Sequence, residues 1–473
     1  MHDLGAASSR TVTDVKIGYV GGASSGWALT LINDLAACSD VSGEVALYDL
    51  DYEGAVENAE LGDEVMANDV PGDWTFSAHR DIDDALAGAD FVVCSIQDPP
   101  EETFVHDIDR PKEYGIYQPV ADTVGPGGTL RGMRAVPQYR EIAATVREQC
   151  PDAWVVNYTN PMTVCTRTLY AEYPDINAIG LCHEVFHVQE MLAEVAERYV
   201  EGADDVDRDD IAVNVKGVNH FTWIDEARWN GRDVFQYLDR ELDRRKPIPG
   251  YEPGEFADAG YWINNFQIAF DLYDRFGVFP AAGDRHLAEF VPWYLAIDDP
   301  DEFHRWGVRL TPSEARVSDD ESPAKMAEFE NEAGEFELND SSEEVVDIVR
   351  ALLGLEPVKT NLNYPNVGQC PDLPDGAVVE TNAVVTGDDV SPITAGTLPR
   401  QVHSMVETHV DNQETIVEAG LSGDLDLAFQ AFLNDPLVTI ERERAAELFA
   451  DLVDRERGYL DAYDLAGASV LAD

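Results

Sequence analysis

The stretch GLCHEVFHVQE, residues 180–190, sets Cys182, His183 and His187 within six positions of one another. A thiol and two imidazoles this close are donors for a metal ion, a nucleophile with its base, or the start of a buried helix. The residue types alone leave all three open. A structural zinc cage is disfavoured, because no second Cys stands two to four residues away. Other reactive side chains lie in VADTVGPGG (Asp122), NYTNPM (Asn160), GVNHFTW (His220) and GDRHLAEF (Asp284, Arg285, His286, Glu289). Singly, each has an ordinary explanation: Asn160 before a Pro suits a turn, Cys182 a small buried site, and His220 a core position with one nitrogen satisfied.

A second kind of chemistry is signalled by GGASSG, residues 21–26, which departs from G-x-G-x-x-G at Ala23. Gly21, Gly22, Ala23, Ser24 and Ser25 follow an apolar strand and precede a helical pattern, and Asp49 ends the next strand. That context suits a dinucleotide, with the pyrophosphate at the helix start and Asp49 on the adenosine ribose. An acid there disfavours a 2′-phosphate, so NAD is expected over NADP.

These residues need a scaffold, and VKIGYVGG, GEVALYDLD, ADFVVCSIQ and AWVVNYTNP read as four strands separated by helical patterns. Such alternation predicts a Rossmann-like, doubly wound parallel sheet over residues 13–200. Residues 201–473 change to longer helical stretches, with strand-like AVVETNAVVT among them, and read as a mixed α+β C-terminal domain. The acidic run 314–344 reads as a surface excursion. In an open α/β sheet the ligand crevice lies at the carboxyl ends of the strands, so the scattered loops can converge there.

Composition bounds the rest. The chain has 473 residues, 92 Asp and Glu against 32 Lys and Arg, and a formal charge of −60. Acids spread over the whole length suit a solvated surface adapted to high salt, as in a halophile, and make nucleic acid and anionic membranes poor partners. The first fourteen residues carry no apolar core of a signal peptide and no run suits a membrane span, so a cytoplasmic protein with six free thiols is expected.

Together, KIGYVGGASS, LYDLD, ADTVGPGG, NYTNPM, GLCHE, GVNHFTW, HLAEFVPWYL and VVETNAVV with GTLP resemble the NAD- and manganese-dependent glycosidases of glycoside hydrolase family 4 over nearly the whole chain. The resemblance implies a lactate/malate dehydrogenase-like arrangement of the two domains, NAD, and Mn²⁺ or another divalent metal held by Cys182 and His220. It implies redox-assisted elimination, a known exception to two-carboxylate glycosidase chemistry. NAD⁺ takes hydride from C3, a base removes the C2 proton, the aglycone leaves C1, water adds, and C3 is restored. His183 stands where some members carry the acid, with a substrate hydrogen bond as its alternative role; Asp284 is the expected base, with His286 as the alternative. Asn160, Asp122 and Arg285 are expected on the sugar, and Arg131 and Arg134 are further candidates for a uronate carboxylate. The motifs look closest to the α-galacturonidase branch, with α-galactosidase or α-glucosidase activity as alternatives, and dimers or tetramers are implied. A sugar or hydroxy-acid dehydrogenase, or an NAD-binding regulator, would share the first domain but has no need of Cys182 with His220.

Overall fold

The computed structural model describes residues 10–96, 102–250, 264–297, 300–310, 312–313, 329, 336–339, 341, 343–387 and 389–471. The acidic run expected as an excursion falls largely outside them.

The chain opens with β1 (Val12–Val20), α1 (Trp27–Ala37), β2 (Val41–Tyr48), α2 (Tyr52–Met66), β3 (Asp73–His79), α3 (Ile82–Leu86) and β4 (Phe91–Cys94). After α4 (Glu102–Lys112) and α5 (Gly125–Gln149) come β5 (Trp154–Asn157), α6 (Met162–Glu172), β6 (Asn177–Gly180) and α7 (Glu184–Tyr199). All six strands pair in parallel in the order β3-β2-β1-β4-β5-β6, the doubly wound arrangement expected. β1, β4 and β5 are covered on both faces, which is why they read as continuous apolar runs.

Two of the six strands escape the sequence reading. β3 is an edge strand in which only Trp74 and Phe76 are buried, and β6 is four residues long.

The second half contributes to both sheets of the molecule. β7 (Ile211–Val218) and β8 (Phe221–Trp229) form an antiparallel hairpin, joined by β9 (Arg232–Asp233) and, after α8 (Leu238–Arg245) and α9 (Gln267–Phe276), by β10 (Phe279–Pro280). α10 (Asp284–Phe290) follows. AVVETNAVVT was expected among the helices of the second domain; instead β12 (Val378–Thr386), with β11 (Val358–Pro365) and β13 (Asp389–Pro392), extends the first sheet to nine strands. β11 meets β6 antiparallel at Asn363 and Gly180, so the division at residue 200 does not divide the sheet. A parallel sheet ending at β6 would leave backbone groups open, and the returning strands cover them.

Buried charge ties the halves together. Arg134 on α5 pairs with Asp107 on α4, at 2.7 Å, and with Glu456 beyond the C-terminal helix Arg442–Arg455; all three side chains are at most 1% exposed. Glu241 on α8 gathers Arg198, Arg244 and Arg245. The six cysteines are free.

Candidate active site

The carboxyl ends of β5 and β6 open into a cavity of about 810 Å³ roofed by the second half of the chain. Its walls include Asp122, Asn160, Cys182, His183, His220, Asp284, Arg285 and His286, so eight predicted residues from five separate loops and helix ends converge.

His220 sits in the two-residue turn between β7 and β8, at φ 62°, a left-handed conformation costly for a side chain with a Cβ. The turn aims the ring at the sheet. Thr123 donates to Asp122 at 2.8 Å and lies 3.0 Å from Nδ1 of His220. With its one proton spent on Asp122, the hydroxyl accepts from Nδ1–H, which leaves the lone pair of His220 on Nε2. Burial, and then the neighbouring His286, push the His220 pKa down to about 3, so the imidazole is neutral. The His286 ring lies 3.7 Å from that of His220, its Nδ1 3.9 Å from Asp122 and its Nε2 3.8 Å from Glu184. Asp122, His220 and His286 offer ligand atoms all within 4.8 Å of one another.

Cys182 stands two residues beyond the end of β6. Burial, and then the carboxylates of Glu380 and Glu184, push its thiol well up, while the Asn219 side chain hydrogen-bonds to it. Glu380 on β12 accepts from Asn219 at 3.2 Å and Asn361 at 2.8 Å, and burial raises it to about 7. The returning strands thus reach the cluster around the Cys through Asn219.

The donor set suits a divalent cation. Cys182 has a thiol to ionise, His220 a free Nε2, and the buried Oδ1 atoms of Asn160 and Asn219 have no hydrogen-bond partner. Asn160 donates its Nδ2 to Asp122 at 3.3 Å.

Asp284, the expected base, lines the cavity with its carboxylate already engaged. One oxygen accepts from Gln267 N at 2.6 Å and the other from Ile268 N and Ala269 N, both at 3.0 Å, so the carboxylate caps the start of α9. Burial raises it to about 7 despite those bonds. Glu289, named with Asp284 in GDRHLAEF, is 1% exposed and accepts from Val120 N and Ala121 N, so it holds the backbone beside Asp122. Arg134 is committed to Asp107 and Glu456, so it does not serve a uronate. Arg131 donates its Nε to Asn160 O at 3.1 Å. Arg285 lies against Pro119 O.

His183 stands at the N-cap position of α7 without bonding its amides, with Nδ1 3.2 Å from Glu343 and its ring stacked over Trp27. Burial works to lower its pKa, but Glu343 and Glu184 outweigh it and the net shift is upward. Glu184 accepts from Gly283 N, tying α7 to α10. Burial would raise Glu184, yet His286, His220 and His183 hold it below the usual carboxylate range. Glu184 was passed over in the sequence, although H-E-V-F-H, residues 183–187, has the H-E-x-x-H spacing. Glu343 is hidden in the acidic run and has no such signal.

The turn after β1 suits a dinucleotide. Gly21 takes φ 102°, and a Cβ there would meet Ser95 O at 2.2 Å. At Gly26, the N-cap of α1, a Cβ would meet nothing within 4 Å, and the Ser24 hydroxyl accepts from Trp27 N at 3.1 Å, so the turn keeps open space beside the helix start although one first-turn amide is taken. Asp49 accepts from Ala23 N at 3.0 Å and Asp51 N at 2.9 Å, which leaves acceptor positions on both oxygens.

Comparison with known proteins follows the same lines. The family 4 glycosyl hydrolase model matches residues 16–198, and the model of the family's C-terminal domain matches 215–438. The alpha-galacturonidase of Thermoanaerobacterium saccharolyticum is 44% identical over 96% of this chain and 98% of its own length. The crystal structure of lplD from Bacillus subtilis superposes with a TM-score of 0.85 at 43% identity, covering 93% of this chain and all of that one. A Thermotoga maritima 6-phospho-beta glucosidase structure with manganese, NAD⁺ and glucose-6-phosphate shares the fold, with a TM-score of 0.71 at 20% identity over 94% of this chain and 99% of that one. With both domain models matched in order and a near full-length relative at this identity, the chain belongs to glycosyl hydrolase family 4.

Proposed function

We propose that this protein is an NAD- and divalent-metal-dependent α-galacturonidase, and that the cavity at the ends of β5 and β6 is where the bond is cleaved. The observation that carries the reading is the convergence of Cys182, His220, Asp122 and His286 in one cavity, with Trp27 of the dinucleotide helix in its wall.

Bound NAD⁺ supplies a hydride acceptor for C3, and a divalent cation held by Cys182 and His220 supplies positive charge beside O2 and O3, which acidifies the C2 proton. The protein does the rest. Asn160 and Asp122 orient the sugar hydroxyls. His286 takes the C2 proton at a ring nitrogen, in preference to Asp284, whose oxygens are occupied by the start of α9. Glu184, 3.8 Å from His286 Nε2, balances the charge the ring acquires. His183 gives a proton from Nε2 to the departing oxygen while Glu343 holds Nδ1. Arg285 takes the C6 carboxylate, supported by Asn264 and Asn265 in the cavity wall, whose buried Nδ2 groups have no partner.

No described helix is long and apolar enough to cross a membrane. We infer a cytoplasmic homodimer or homotetramer adapted to high salt, which accords with the charge of −60. The test is cleavage of nitrophenyl α-galacturonide against α-galactoside and α-glucoside in concentrated salt, with NAD⁺, Mn²⁺ and D₂O. The expected result is preference for the uronide, deuterium at C2 of the product, and no net NADH. Stoichiometric NADH would instead identify a dehydrogenase.

A further inference from the structure

We infer that the cavity carries a second divalent-cation site, formed by His183, His187 and Glu184 at the start of α7, which silences the enzyme when zinc fills it. It rests on the glycosidase reading only for the silencing; the metal count stands alone.

His183 and His187 are four residues apart and α7 begins at Glu184, so both rings fall on one face of the first turn. Their centroids are 5.1 Å apart, and one ligand atom from each ring and from Glu184 lies within 4.8 Å of the others. Glu343 accepts from Nδ1 of His183, which fixes the tautomer and leaves the lone pair on Nε2, the arrangement in which a carboxylate orients a metal-binding imidazole. All three residues line the cavity, so a cation can reach them, and a fourth position stays open to water. The dipole of α7 opposes a cation at its N-terminus, at a cost of about 1 kcal/mol or less. Glu184 and Glu343 offset it, and Glu190 and Glu194, further along α7, also line the cavity and attract cations. Two imidazoles and a carboxylate favour zinc over manganese.

Two features separate this site from the one assigned to Cys182 and His220. Among the described residues no hydrogen bond links His187 to the Asp122–His220–His286 cluster, which has its own ligand atoms within 4.8 Å; Glu184, 3.8 Å from His286 Nε2, is the one residue that adjoins both. The consequence follows from His183: zinc on Nε2 takes the position that would carry the proton for the leaving oxygen.

The test is zinc uptake by the full-length chain, by equilibrium dialysis with elemental analysis, for the unmodified protein, His187→Gln and Cys182→Ser. Each variant should bind one zinc fewer than the unmodified protein. With Mn²⁺ and NAD⁺ present, His187→Gln should retain full activity, which also shows that it folds, while its inhibition by zinc weakens about tenfold or more. Cobalt bound to Cys182→Ser should give the visible spectrum of a site without thiolate, lost on adding His187→Gln. Equal zinc uptake by His187→Gln and the unmodified protein would overturn the site. Unequal uptake with unchanged zinc inhibition would overturn the silencing and leave the site standing.

Discussion

Two regions of this molecule bury ionisable groups, and they treat them in opposite ways. Around Arg134 and around Glu241 each charge faces an opposite charge: Asp107 and Glu456 for the first, Arg198, Arg244 and Arg245 for the second. In the cavity, two imidazoles stack at 3.7 Å, a thiol is surrounded by carboxylates, and two Asn oxygens have no partner. Buried polar atoms are costly when unsatisfied, and a cavity that gathers several of them beside strongly shifted ionisable groups is where a ligand is to be bound.

The largest effects should separate the regions by what they break. His220→Ala and His286→Asn should each lower kcat/KM on the order of 10³-fold, as loss of a metal's or a base's contribution does. Thermal midpoints should stay within about 2 °C, or rise, since strained functional residues are held at some cost to stability. Asp284→Asn should behave differently: it loosens the start of α9 and lowers stability by about 1 kcal/mol, with deuterium incorporation at C2 retained. Loss of that exchange in Asp284→Asn, with His286→Asn still exchanging, would return the base to Asp284.

Next in size is the structural network. Arg134→Met leaves Asp107 and Glu456 buried without their cation, a loss of about 3–5 kcal/mol measurable as a lower denaturant midpoint. Protein that remains folded should keep its kcat, in contrast to His220→Ala. Glu241 adds a pH signature. Burial raises its pKa, but Arg244, Arg245 and Arg198 outweigh this and the folded value falls to about 2, below an unfolded carboxyl near ~4.3. Its contribution is therefore complete above the unfolded value and lost as pH falls through the folded one. Glu241→Gln should flatten the acid limb of the stability profile across that window; an unchanged limb would show that the network is too well solvated to matter.

The same contrast explains how far the sequence could be read. β1, β4 and β5 are buried on both faces and announce themselves as apolar runs, whereas β3 hides its two buried aromatics among exposed residues. AVVETNAVVT reads as a strand, but only the pairing of Val358–Pro365 with Val378–Thr386 and the contact at Gly180 place it in the first sheet. The convergence of Cys182, His220, Asp122 and His286 on one cavity follows the order of their motifs along the chain. A motif names the Asp284 carboxylate without saying that three backbone amides occupy it, so that engagement is visible only in the fold. Glu343 was invisible for lack of any local signal, since it reaches His183 across 160 residues.

The smallest effect tests the dinucleotide turn, where the two patterns meet. Asp49 is structural on one side, accepting from Ala23 N and Asp51 N, and open on the other. Burial raises its pKa, so its ionised form is held there at some cost. If the open positions take the ribose hydroxyls, Asp49→Ala removes one or two hydrogen bonds to a charged acceptor and should raise the KM for NAD⁺ about tenfold. It also removes a negative charge that repels a 2′-phosphate, so the KM for NADP⁺ should fall or hold, and the preference should narrow. A purely structural Asp49 predicts otherwise: loosening the turn would raise both constants together and leave their ratio unchanged. The ratio, measured at fixed Mn²⁺ and fixed salt, distinguishes the two, because high salt screens the repulsion and shrinks the difference by itself. Equal use of both cofactors by the unmodified protein at low salt would remove Asp49 from the ribose altogether.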